Sequence, residues 1–232
     1  MDQHSSAIAT TPTVSRRPYR TPVRQARKLA WTPVTFSAGQ VLYREGEIAD
    51  RLFVTRSGIV KLIAHLPNGR ARILGLHGPG AVLGLITPAS DEPTYGHSAI
   101  AMEDVSAYWI SAGQLRRLRN QGSTEYMELV ERHCEELRHA ERWIAEFSAD
   151  TTPCRIARLI KYLAELQHLP DEDEVELLTC QEMGEVIGVS TESASRVLAE
   201  FKRSGVLEPC KERHGKRLYK FNSDVIDDIA FA

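Results

Sequence analysis

The sequence predicts an α+β chain with an N-terminal β-roll, a long central helix and a C-terminal winged helix-turn-helix. Three observations carry the prediction. Short strand-like runs between Trp31 and Ile110 are punctuated by glycines from Gly39 to Gly96, which is the mark of a roll or sandwich rather than a parallel sheet. Apolar residues then recur at alternating spacings of four and three from Tyr126 to Phe147. Finally, Gly188 separates two amphipathic segments, and the second has a short polar outer face.

At 232 residues, 42% hydrophobic and 26% charged, the chain is long enough for two modest cores. No apolar run reaches the 18 to 20 residues or so of a membrane span, and no secretory signal opens the chain. This predicts a cytoplasmic protein with no membrane partner. The net charge of -2 sums acidic stretches such as Asp171-Glu172-Asp173-Glu174 with a basic N-terminus and a basic C-terminal hairpin. It therefore leaves nucleic acid open as a partner. Cys134, Cys154, Cys180 and Cys210 are far apart and lack zinc-ligand spacing, so they read as reduced thiols and no metal site is expected.

Residues 1–30 are rich in Ser, Thr, Pro and Arg and show little apolar periodicity. They read as a flexible basic arm. Residues 31–122 form the β domain, with Leu52-Phe53-Val54 and Ile59 to Ile63 as strands and a short helix near Gln114 to Asn120. The long helix occupies 123–149. Its seam of Tyr126, Val130, His133, Leu137, Ala140, Ile144 and Phe147, flanked by Glu131, Glu135, Glu136, Arg138 and Arg142, reads as a parallel dimer contact. Packing of that stripe on its own β domain is the competing reading.

The remaining residues, 150–232, open on a hinge at Ser148 to Pro153, with Pro153 placed to start the next helix. Thr179-x-x-Glu182 is a capping box. Gly184 and Gly188 suit the close approach and the turn of a helix-turn-helix. In a helix from Ser190 to Lys202, Ala194, Val197, Leu198 and Phe201 fall on a buried stripe, and Glu192, Ser195, Arg196 and Ala199 face outward. Arg196 has the fork to hold the O6 and N7 of a guanine, Glu192 accepts from a cytosine amino group, and Ser195 reaches a neighbouring base or phosphate. Backbone contacts are expected from Thr179, Ser190, Thr191 and Lys202. The basic hairpin around Gly215, with Lys211, Arg213, Lys216 and Arg217, supplies the rest. Cys180, in the first turn of the capped helix, is the candidate redox thiol, with an inert thiol as the preferred reading.

This order of parts resembles the CRP/FNR family of bacterial transcription regulators across nearly the whole chain after the arm. Phe36 to Gln40, Glu45-Gly46-Glu47, Ser57 to Leu62 and Gly78-Pro79-Gly80 look like that family's turns, and Glu192-x-x-Ser195-Arg196 is similar to its FNR branch. The resemblance implies a β-roll like a cyclic-nucleotide-binding jelly roll. It also implies a homodimer on double-stranded DNA, half-sites like TTGAT in an inverted repeat, and RNA polymerase as a partner.

Two departures qualify it. Where the cAMP branch holds its ligand with Gly-Glu and Arg-Ser, this chain has Gly84-Leu85 and His97-Ser98, so these four are pocket candidates and cAMP is not the expected effector. No cysteine precedes Cys134, which excludes an FNR-type iron-sulfur cluster. Haem, on His65, His77 or His97, is the minor cofactor expectation; the effector is otherwise unassigned, with DNA affinity set either by an unidentified signal in the β-roll or by protein abundance, the pocket then being filled by side chains. A cupin-type metal oxygenase would need clustered ligands that these isolated histidines do not supply. A ligand-binding module acting on a protein partner is the other alternative.

Overall fold

The computed structural model describes residues 31–84, 93–213 and 215–232. The predicted arm, Leu85 and His214 lie outside them. Strands β1 (Thr32–Phe36), β2 (Val41–Tyr43), β3 (Arg51–Ser57), β4 (Val60–His65), β5 (Ala71–His77), β6 (Val82–Leu83), β7 (Ser98–Ala101) and β8 (Val105–Ser111) build the roll. They form two antiparallel sheets in the orders β1-β8-β3-β6 and β2-β7-β4-β5. Tyr43, Phe53, Val60, Leu83, Ala99 and Val105 meet between the sheets. On β3, Leu52 and Val54 point the other way, into a second cluster closed by Leu115, Leu118 and Leu129. Both faces of β3 are thus covered, which is why it reads as a continuous apolar run rather than an alternating one.

Helix α1 (Ala112–Asn120) starts from a capping box of Ser111 and Gln114, and α2 (Thr124–Ser148) starts from a Ser123 cap. The chain then turns through Asp150, at φ 73, into α3 (Thr152–Gln167), capped by Thr151 with Pro153 in its first turn. The rest of the C-terminal domain is β9 (Glu174–Glu176), α4 (Cys180–Ile187), α5 (Thr191–Arg203), β10 (Leu207–Arg213), β11 (Lys216–Phe221) and α6 (Ser223–Ala230). Strands β10, β11 and β9 form one antiparallel sheet. The sequence reading passed over β9 and α6, the first because its charge masks a strand of three residues.

The two halves of the chain are not separate bodies. One apolar cluster runs from Ile63, Ile73 and Leu76 of the roll, through Trp143 and Phe147 of α2, to Ile156, Ile160, Met183 and Leu198. Burial of this size, at about 25 cal/mol per Å² of apolar surface, fixes the C-terminal domain against β4 and β5.

Helix α2 divides its faces differently from the predicted seam. Leu129, Glu136, Trp143 and Phe147 are buried within the chain, and Phe147 is only 1% exposed. Tyr126 packs against the cluster around Leu129. Those two ends of the predicted stripe therefore face their own subunit, because the roll and α3 occupy that side. Leu137 (60%) and Ile144 (65%) stay exposed, as does Met127 (53%), and His133 is exposed while Val130 and Ala140 are partly so.

Candidate nucleic-acid interface and buried pocket

Helix α4 begins where Thr179 accepts from the Glu182 backbone N–H at 3.1 Å, while Glu182 accepts from the Thr179 N–H at 3.1 Å. It ends at Gly188, whose φ of 73 is the left-handed conformation that favours glycine. Gly184 lets the chain fold back on the helix: a Cβ there would lie 2.7 Å from the Val189 carbonyl oxygen. Ser190 then caps α5, accepting from the Ser193 N–H at 3.2 Å.

Ala194, Leu198 and Phe201 are buried, and Glu192, Ser195, Arg196 and Ala199 are exposed. The three predicted base readers thus share one open face. Hydrogen bonds from its own backbone N–H and from Ser190 hold the Glu192 carboxyl below the usual carboxylate range, so it is an acceptor at neutral pH.

Of the predicted backbone contacts, Thr179, Ser190 and Thr191 are exposed at the two helix starts. Lys202 sits 4.5 Å over the Tyr219 ring. The wing is less free than its composition suggests. Lys211 pairs with Glu174 at 2.7 Å, Lys216 with Glu176, and Lys220 with Asp171 at 2.9 Å. The acidic stretch that offset the net charge in the sequence lies directly against the basic hairpin, through β9. Arg213 and Arg217 are exposed and make no ion pair among the described residues. Cys180, first residue of α4, is half-buried against the apolar core rather than presented outward.

A cavity of about 610 Å³ opens between the roll and α2. Gly84 and His97 line it, as do Tyr43, Tyr95, Glu136 and His139. The Tyr43 and Tyr95 rings stack at 4.0 Å, and Tyr43 Oη lies 3.1 Å from His97 Nε2. A Cβ on Gly84 would lie 2.9 Å from the Tyr95 ring, so glycine admits the tyrosine pair.

Ser98, another predicted pocket residue, is buried elsewhere: its hydroxyl accepts from the Glu45 N–H at 3.0 Å, and it does not line the cavity. The alternation of β7 sends it to the opposite face from His97. Burial, then the neighbouring His77, pushes His97 below the ordinary histidine range, with Glu45 opposing. No Lys or Arg lines the cavity among the described residues.

The sequence reading also missed a buried polar contact of this region. Glu136, taken there as a flanking surface charge, is buried, accepts from the Val82 N–H at 3.1 Å and stands 2.8 Å from His77 Nδ1. Its only sequence signal is its spacing of seven from both Leu129 and Trp143.

Comparison with known proteins matches residues 33–121 to the cyclic nucleotide-binding domain family and residues 157–218 to the Crp-like helix-turn-helix domain family. The chain belongs to the CRP/FNR family of transcription regulators. Among CRP/FNR relatives, the CRP-like cAMP-activated global transcriptional regulator of Mycobacterium tuberculosis is 27% identical, over 75% of this chain and 78% of its own. The transcriptional activator protein anr of Pseudomonas aeruginosa is also 27% identical, over 73% and 70%.

Two solved structures share the CRP/FNR fold. FixK2 from Bradyrhizobium japonicum superposes with a TM-score of 0.70 at 23% identity, covering 88% of this chain and 99% of its own. A CRP family regulator from Thermus thermophilus gives 0.72 at 23%, covering 86% and 97%. Membership of the CRP/FNR family makes the protein a DNA-binding regulator and sets aside the oxygenase reading. No helix among the described residues is long and apolar enough to cross a membrane.

Proposed function

We propose that this regulator acts in the cytoplasm as a homodimer that reads an inverted repeat with FNR-type half-sites such as TTGAT, in concert with RNA polymerase. The observation that carries the reading is the open face of α5, where Glu192, Ser195 and Arg196 stand together and exposed. Arg196 supplies a bidentate donor for guanine and Glu192 an acceptor for a cytosine amino group. The exposed Leu137 and Ile144 on α2 support a twofold contact along that helix, which spaces two recognition helices about 34 Å apart.

The Mycobacterium relative is cAMP-activated by name, but this chain departs from that chemistry. A cyclic phosphate needs a fixed, forked cation, whereas the cavity offers the largely neutral His97, apolar walls and the Glu136 carboxylate. The effector is an uncharged, largely apolar molecule that packs against Leu62, Leu74 and Leu137 on the cavity wall. Haem is the weaker reading. His65 does not line the cavity, and His77 and His97 are engaged by Glu136 and Tyr43.

Selection of bound sequences from a randomised duplex pool, with the mass of the complex by light scattering, tests the reading. An inverted repeat bound by two chains is expected, and recovery of a single half-site by a monomer overturns it. Micromolar cAMP should leave thermal stability and DNA affinity unchanged; tighter DNA binding with cAMP would overturn the effector assignment.

A further inference from the structure

Three parts of the molecule meet at one hydroxyl. Tyr162 on α3 donates from Oη to the Leu76 carbonyl oxygen on β5 at 2.8 Å. The same oxygen lies 2.7 Å from His139 Nε2 on α2. A phenol has one proton, and a carbonyl only accepts. The proton is therefore committed to Leu76, and His139 Nε2 must carry a hydrogen and donate it to Tyr162. This fixes the neutral tautomer of His139, with the lone pair on Nδ1, which is buried with no hydrogen-bond partner among the described residues. Burial, and after it the His77 imidazole, pushes His139 down to about 4 against the pull of Glu136, so the ring is neutral at pH 7.

His139 also lines the cavity, and its ring stands 5.3 Å from that of His77. Since His77 pairs with Glu136, and Glu136 accepts from Val82, a continuous chain of buried and half-buried contacts leads from the cavity wall to α3. Packing alone does not ask for the hydroxyl. The Tyr162 ring meets Trp143 edge-on at 5.3 Å and Phe147 at 6.2 Å, contacts that phenylalanine would keep.

We propose that Tyr162 is a positioning residue for DNA recognition: its hydroxyl, shared between Leu76 and His139, sets how the DNA-binding domain is held against the roll and passes the state of the cavity to it. The proposal rests on the reading of the cavity as the effector site. A hydrogen bond that exists in only one of two domain arrangements biases their equilibrium, and couplings of this kind change affinity by about fivefold or more.

The test uses full-length protein and fluorescence anisotropy on its selected duplex. Tyr162→Phe should weaken DNA binding about fivefold while the dimer mass and the urea unfolding slope stay as in the wild type. His139→Leu should do the same, and His139→Gln, whose amide N–H still donates, should stay near wild type. A purely packing role would not separate leucine from glutamine in this way, and equal losses in those two variants overturn the proposal.

Leu62→Trp, which fills the cavity from β4, should change DNA affinity in the wild-type background and much less beside Tyr162→Phe. An equal change in both backgrounds overturns the relay while leaving the cavity as effector site. No change in either background removes the effector reading and the relay with it. Should Tyr162→Phe fail to fold, the His139→Leu and His139→Gln pair decides, with Leu62→Trp placed in each.

Discussion

Lys61 Nζ stands 2.6 Å from Glu182 Oε1, an ion pair that ties strand β4 of the roll to the first helix of the helix-turn-helix. The same glutamate closes the capping box of α4. Arg72 of β5 also lies against the end of α4, since a methyl on Gly188 would run into its guanidinium. The two side chains of the ion pair are only 17% and 21% exposed, so the pair is screened less than a surface pair. Burial raises Glu182, but the hydrogen bond and charge of Lys61, with Thr179 beside it, outweigh this and hold the carboxyl below its ordinary range.

Lys61→Ala should therefore cost about 1 to 2 kcal/mol in urea unfolding, between the values typical of exposed and buried pairs. A folded-state pKa below the unfolded one gives stability that is present above the unfolded value and lost as pH falls through the folded value. The variant should accordingly lose part of the wild type's acid-dependent destabilisation. A change below about 0.3 kcal/mol, within the range of an exposed pair, would show that the pair does not hold the domains.

Arg196→Ala should relax sequence preference at one base pair by about 1 to 3 kcal/mol. Arg217→Ala should instead weaken all sequences alike and reduce the slope of log affinity against log salt by about 1. Because Lys216 is held by Glu176, Glu176→Gln should raise affinity for unrelated duplexes and steepen that slope. Anisotropy titrations from low to moderate salt on selected and scrambled duplexes check all three. Equal loss of specificity in the two arginine variants would contradict the division of roles.

Leu137→Glu should dissociate the dimer, since two carboxylates would then face each other in an apolar seam. Phe147→Glu should instead unfold the chain, because that side chain is 1% exposed within its own subunit. Light scattering at micromolar concentration, alongside circular dichroism, separates the outcomes. A Leu137→Glu protein that stays dimeric moves the interface elsewhere.

His139, held at about 4 against an ordinary value of 6.5, binds fewer protons folded than unfolded between those values. Stability should therefore fall as pH is lowered from about 6.5 towards 4. The His139→Gln variant should show a shallower decline over that window. Urea midpoints across the range measure it, and identical pH profiles would mean that His139 titrates normally.

Local devices are legible in the chain alone. Thr179 with Glu182, Ser190 and Gly188 are caps and turns made within a few residues of one another, and the buried stripe of Ala194, Leu198 and Phe201 follows from helical period alone. The reading face of α5 is simply the complement of that stripe, so it was legible without any knowledge of distant contacts. The tertiary structure decided what depends on which surface comes to lie opposite. Glu136 looks like a solvated helix charge until Val82, 54 residues away, supplies its backbone N–H. Phe147 continues a heptad pattern yet belongs to the core, because α3 folds back against that side of α2. The wing's lysines read as free cations until β9 pairs with β11 and sets acidic residues beside them. Period and capping are properties of a single segment, whereas burial of a charge, the choice between two faces of a helix and the neutralisation of a basic hairpin are energies of pairs far apart in the chain.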